Sequence, residues 1–255
     1  MRIALHPKEN RDITVEEYIK EFGHKPLNLN YDNRPRAKCK FCQRELIIRA
    51  ESSTKSTEHF AHLSDGRVCP AKEMHRNLYR RHQPDTPDRE HARILKQQFL
   101  EHWKHHYAFM RGLTKNLSPW EFEQILQEAT RLHIWEYAGL LEYEIPYVLC
   151  TLHDFPPQPL NKEGTNERFR RRCWFRFWFD TTATDFNELW INGERPCRYW
   201  VAYYDLQKNK KRPGIEDLKN AYSIEINDNF LHTSVELNNK LVYLVEPLVE
   251  KYIVP

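Results

Sequence analysis

Glycine is scarce in this chain, with 7 in 255 residues. None of them forms a loop that could cradle phosphate with backbone N–H groups, which excludes the common nucleotide-binding motifs. Long apolar runs are missing too: no segment approaches the length of a membrane span, and Met1-Arg-Ile-Ala-Leu-His6 lacks the apolar core of a signal peptide. The expectation is a cytoplasmic protein with no membrane partner. Charge of one sign is not in excess either, since 39 Lys and Arg stand against 36 Asp and Glu for a net +3. Any nucleic-acid footprint therefore has to be a local patch and not the field of the whole molecule. Internal repeats and low-complexity tracts are absent. A hydrophobic content of 40% with 13% aromatics is enough for a packed interior and excludes a disordered chain.

What is present begins with cysteine. Three of the six cysteines fall in one stretch, where Cys39-Lys-Phe-Cys42 is followed by Glu58-His59-Phe-Ala-His62, Cys69 and His75. Two thiols separated by two residues can point at one ion from a tight knuckle. A distant second pair of Cys or His then completes the four-ligand tetrahedron that suits a structural zinc. Cys39 and Cys42 are the first pair. His62 is joined either by His59 or by Cys69, and one of these two is a bystander, because a closed site takes four protein ligands. His75 reads as a helix residue. Cys150, Cys173 and Cys197 sit among apolar or aromatic neighbours, where free thiols behave as small hydrophobes, so no disulfide is expected.

The CxxC, the β-prone Glu45-Leu-Ile-Ile-Arg49 and His59-Phe-Ala-His62 resemble the N-terminal zinc-binding segment of the competence protein CoiA family. The segment from Arg89-Glu90-His91 to Lys96 is similar to the helix that opens the nuclease-like domain of that family, and the resemblance spans residues 35–105. It implies a relation to nucleases of the PD-(D/E)XK kind, a DNA or RNA partner and a cutting activity. The sequence departs from that pattern in one respect: no Asp followed by a Glu-x-Lys strand stands downstream.

The fold expected is α+β: a small N-terminal zinc module over residues 1–83, then a nucleic-acid-related domain over 84–255. Thr14 with Glu17 marks a capping box for a short first helix. Thr86 as N-cap and Pro87 at the first helical position open a helix whose Leu95, Phe99, Trp103 and Tyr107 recur every fourth residue as far as Arg111. Ser118, Pro119 and Glu121 start the next helix. Residues 140–152 read as a strand, with a bulge or edge at Pro146. A mixed or antiparallel sheet and a closing helix over 237–252, kinked or split by Pro247, complete the chain.

Catalytic candidates are carboxylates able to hold Mg or Mn beside a phosphodiester: Glu90, Asp180 and Glu225. A second enzymatic reading is an HNH-like nuclease with Glu58 and His59 as metal ligand and general base. The nucleic-acid-binding candidates are Arg170, Arg171 and Arg172, then Trp174, Arg176 and Trp178 on one face of a strand, and Lys210 and Lys211 in a basic loop. Aromatic faces stack on bases, and Arg adds phosphate contacts. The alternative for the strand is burial of both faces with Arg176 ion-paired. Two functions follow: a divergent or degenerate nuclease of defence or recombination type, or a non-catalytic nucleic-acid-binding or scaffold subunit of a larger complex with other proteins.

Overall fold

The computed structural model describes residues 3–26, 32–51, 53, 56–63, 69, 83–159, 169–179, 186–190, 198–205, 212–214 and 217–253. His75, Asp180, Cys197, Lys210 and Lys211 lie outside them. The chain divides into two compact units, Met1–Ala71 and Lys72–Pro255. Helices are combined with small antiparallel sheets throughout, three of two strands and one of three among the described residues. No described helix is long and apolar enough to cross a membrane.

In the N-terminal unit β1 (Ile3–Leu5) pairs antiparallel with β2 (Asp12–Thr14), and α1 (Val15–Phe22) follows directly. The capping box forms: Thr14 accepts from the Glu17 backbone N–H at 3.2 Å while the Glu17 carboxylate accepts from the Thr14 N–H at 2.8 Å. A second hairpin pairs β3 (Leu46–Arg49) with β4 (His59–His62), and isolated bridges from Lys38 to Leu5 and to Glu45 tie the two hairpins together. Arg34 is a polar clasp that sequence reasoning does not reveal. It donates to both oxygens of Asp32 (2.9 and 2.7 Å), both of Glu51 (2.9 and 2.8 Å) and the Gly23 carbonyl (2.7 Å). The apolar core of this unit is thin. Of the largest fully buried side chains in the described residues, only Phe60 belongs to it. So small a core leaves little net stability after chain entropy, and units of this kind are commonly held by a metal or disulfides.

The C-terminal unit opens with α2 (Arg89–Glu101) and α3 (Trp103–Leu113), followed by α4 (Pro119–Arg131). The helix start moves from the expected position. Asp88, not Thr86, is the N-cap and accepts from the His91 N–H at 2.9 Å, while Pro87 bridges Tyr137 outside the helix. Asp competes as strongly as Thr for this role, and sequence alone gives two adjacent candidates. The single helix expected to Arg111 is broken at His102, whose φ of −110° and ψ of 20° are not helical. The fourth-residue stripe nonetheless survives the break, with Leu95, Phe99, Trp103 and Tyr107 all buried.

The strand expected over 140–152 is instead α5 (Ile145–Thr151), preceded by a 3₁₀ turn over Glu142–Glu144. All seven residues of α5 are buried. A short element buried on every side shows no periodicity, so its apolar run cannot distinguish strand from helix. Pro146 sits in the first turn, where its missing N–H has no helical partner to lose. α5 packs between α3 and α4 on one side and the main sheet on the other.

Beyond α5, β5 (Gln158–Pro159) pairs with β6 (Phe169–Arg171). Then β7 (Trp174–Phe179), β8 (Arg198–Tyr204) and β9 (Leu218–Glu225) form an antiparallel sheet in that order, with α6 (Phe186–Trp190) between β7 and β8 in sequence. The outer side of β7 is not free, because the backbones of Phe155 and Phe175 exchange two hydrogen bonds (3.2 and 2.9 Å). α7 (Asn239–Ile253) closes the unit against α2 and α4. It carries Pro247 inside one continuous helix, where two separate pieces were one expectation.

Candidate metal centre

The loop before β3 folds as a knuckle. The Gln43 N–H returns to the Cys39 carbonyl at 2.8 Å, the Cys39 N–H to the Arg44 carbonyl at 2.7 Å, and Gln43 takes the left-handed φ of 59° that such a reversal needs. This places Cys39 and Cys42 on the same side of the turn, which is what the two-residue spacing foreshadows. β4 then supplies one imidazole. Side chains alternate along a strand, so His59 and His62, three apart, point to opposite faces and cannot both face one ion from regular β geometry. His62 faces the knuckle, with Nε2 3.3 Å from the Cys42 Sγ. His59 turns away and engages the Thr57 carbonyl through Nδ1 at 2.9 Å. Cys69 takes the fourth place, its Sγ 3.7 Å from that of Cys39.

The ligand atoms of Cys39, Cys42, His62 and Cys69 all lie within 4.8 Å of one another. A tetrahedron with Zn–S near 2.3 Å and Zn–N near 2.0 Å has S···S edges of about 3.8 Å and S···N edges of about 3.5 Å. The observed 3.7 and 3.3 Å are those edges within a few tenths of an ångström. The cluster can hold a metal ion such as zinc. Cys39 and Cys69 are fully buried, Cys42 and His62 partly so. The thiols perturb one another strongly: hydrogen bonding to Cys39, then to Cys69, holds the Cys42 thiol well below its ordinary value. The hydrogen bond to Cys42 pushes Cys39 up to about 11, and those to Cys39 and Cys42 push Cys69 higher still. Three thiols this close carry a single negative charge comfortably, and a divalent cation is what allows all of them to ionise. The guanidinium Nε of Arg44 donates to Cys42 Sγ at 3.4 Å and favours the thiolate.

A second group of possible ligands, His6, Glu9 and Glu21, also falls within 4.8 Å. It is an ion-pair knot. His6 Nδ1 accepts from the Lys8 and Glu9 N–H groups (3.2 and 3.0 Å), so its Nε2–H donates to Glu21 at 2.9 Å, and Arg11 pairs with both carboxylates. No ring nitrogen is left for a metal.

The carboxylates named for catalysis are not gathered. Glu90 is exposed in the first turn of α2 and pairs with Arg93 at 2.8 Å, which holds its carboxyl below the usual range. Glu225 is exposed at the end of β9. Neither belongs to a metal-ligating group among the described residues, and Asp180 falls outside those residues.

The arginine triplet is split by strand alternation. Arg170 and Arg172 are exposed, whereas Arg171 is 1% exposed and donates to Glu121 and to the carbonyls of Pro156 and Asn116. Trp174, Arg176 and Trp178 do share a face, but it is packed. They are 9, 8 and 6% exposed, with Trp178 stacked on Trp200 and Arg176 lying over Tyr204 at 5.1 Å and 3.7 Å from Asp154. Stacking a base on this face would require the sheet to be uncovered first.

One polar cluster is invisible in the sequence: His102 Nδ1 and His106 Nε2 both contact Oε1 of Glu142, at 2.7 and 3.2 Å. His106 is fully buried, stacked on Phe99, with His102 and His105 nearby. Burial lowers its pKa from the ordinary 6.5 in spite of the Glu142 hydrogen bond. A histidine depressed on folding contributes stability that is complete above 6.5 and is lost as pH falls through the folded value. Burial raises the Glu142 carboxyl, but hydrogen bonds from His106 and His102 outweigh it and leave it lowered, so acid acts in the same direction there. The melting temperature should therefore fall as pH drops below about 6.5, and His106→Phe should flatten the first part of that slope. An unchanged slope in the variant would remove His106 from the account.

Comparison of the chain with protein-family models, with curated proteins and with solved structures returns no match.

Proposed function

We propose that the chain is a nucleic-acid-binding protein of cytoplasmic setting whose N-terminal unit is stapled by one structural zinc. The observation that carries this reading is the Cys39–Cys42–His62–Cys69 cluster, which lies in the segment that resembles the CoiA zinc module. It has four protein donors and no open position, the pattern of a structural and not a catalytic zinc. Binding without cutting is favoured over a PD-(D/E)XK-like nuclease because Glu90 pairs with Arg93 and neither Glu90 nor Glu225 belongs to a metal-ligating group among the described residues. The HNH-like reading is weakened by His59, whose Nδ1 is engaged with its own chain. A role as one subunit among other proteins, with chemistry supplied elsewhere, fits the same observations.

The test is a pair of native and denaturing gels on labelled single-stranded and duplex DNA and RNA, with and without Mg²⁺ or Mn²⁺. The expected result is a mobility shift with intact strands. Metal-dependent cleavage that vanishes in Glu90→Ala or Asp180→Ala would replace the binding reading by the nuclease one. The absence of any shift on all four substrates would overturn both.

A further inference from the structure

In the C-terminal unit a cleft of about 300 Å³ opens between α2 and the turn that follows α4. One wall is cationic. Arg89, Arg93 and Lys96 line it, and their spacing of four and then three residues brings all three side chains onto one face of α2. The opposite wall carries Thr130, His133, Trp135 and Glu136.

The positive charge of this cleft is only partly matched. Arg93 is held by Glu90 and His133 by Glu136, each at 2.8 Å, while Arg89 and Lys96 make no ion pair among the described residues. The position of Arg89 is itself unfavourable for the fold. As the first residue of α2 it sets a cation against the positive end of the helix dipole, a place where an acidic residue would stabilise. Cations without an ion pair among the described residues, one of them at a helix start, suit this wall to an anionic ligand.

We infer that this cleft is where the protein holds the phosphate backbone of a nucleic-acid strand, with Arg89, Arg93 and Lys96 as the phosphate contacts. The inference rests on the nucleic-acid reading above and gives it a location. The three side chains span about 10 Å along the helix axis, a length over which a strand presents about three phosphates. Contacts of this kind position a strand without reading its sequence. The buried Trp174–Arg176–Trp178 face then has no part in binding.

The test uses the full chain, a fluorescein-labelled single-stranded 20-mer and anisotropy across a salt series. Arg89→Gln/Arg93→Gln/Lys96→Gln is compared with the charge-matched surface variant Lys8→Gln/Lys104→Gln/Lys240→Gln. The expected outcome is an affinity loss of about 30-fold for the cleft variant, with its salt slope shallower by about 2. The control variant should remain within about 3-fold of wild type, since it removes the same charge away from the contacts. Equal losses in the two variants would place the interaction in the general field of the protein and overturn the cleft while leaving the nucleic-acid reading in place. No binding by wild type would overturn the nucleic-acid reading and the cleft together.

Discussion

On the reading that the Cys39–Cys42–His62–Cys69 cluster holds zinc, replacing Cys39 by Ser is expected to remove the metal from the N-terminal unit and unfold that unit in the same step. Cys39 is fully buried and is one of four donors, while among the described residues the surrounding apolar core offers only Phe60 to the largest buried side chains. The folding free energy of such a unit is largely its metal-binding free energy, about 10–16 kcal/mol for structural zinc in small modules, so losing a thiolate ligand exceeds what the core can offset. Hydrogen exchange read by mass spectrometry should show the β3 and β4 amides losing their protection in Cys39→Ser and in wild type treated with a strong chelator. The α5 and β7 amides of the other unit, which has its own dense core, should keep theirs. Protected β3 amides in a metal-free sample would show that the hairpin holds without the ion.

The second large effect lies in the C-terminal unit, at the buried pair of Arg171 with Glu121. Their side chains are 0 and 3% exposed. The guanidinium bonds to Glu121 and to the carbonyls of Pro156 and Asn116, pinning β6 and the chain after α5 onto the start of α4. Glu121 is at the same time the capping-box partner of Ser118, accepting from its N–H at 3.0 Å. Arg171→Met leaves that carboxylate buried without its cation, and breaking such a pair from one side costs about 3–5 kcal/mol. For a unit of this size the melting temperature should fall by about 10 °C. Arg171→Met/Glu121→Gln should recover part of the loss, because the glutamine keeps the cap acceptor and removes the stranded charge. Arg170→Met, exposed on the neighbouring position, is expected to change the melting temperature little. If Arg170→Met and Arg171→Met prove equally mild, the buried network is not what holds β6 in place.

Local signals in the sequence carry over well into the structure. Both capping boxes, Thr14 with Glu17 and Ser118 with Glu121, form as spelled, because they depend only on residues three apart. The CxxC knuckle does the same. His62 is legible as a ligand, but the choice of Cys69 over His59 is not, since it turns on whether His59-Phe-Ala-His62 is a strand, and strand parity settles it at once. The expectation of a strand over 140–152 fails for a different reason. Complete burial erases the periodicity that separates helix from strand, and Pro146 can be read as an edge signal or as a helix start.

Long-range partners are out of reach of any local rule. Glu121 and Arg171 are separated by 50 positions, and His102 and Glu142 by 40. Without the pairing partner, an arginine-rich strand end looks like a surface for phosphate. The strand pattern nevertheless contained the clue, for alternation alone sends Arg171 to the opposite side from Arg170 and Arg172. The cationic face of α2 was equally present in the sequence as Arg89, Arg93 and Lys96, and it gains meaning only when the turn after α4 supplies a facing wall.

Zinc K-edge X-ray absorption on the purified full-length protein addresses the central claim most directly. The Cys39–Cys42–His62–Cys69 site predicts one zinc per chain with three sulfur neighbours at about 2.3 Å and one nitrogen at about 2.0 Å, and an identical spectrum for His59→Ala. Two sulfurs with two nitrogens, a changed spectrum in His59→Ala, or a protein that folds with no zinc at all would contradict it.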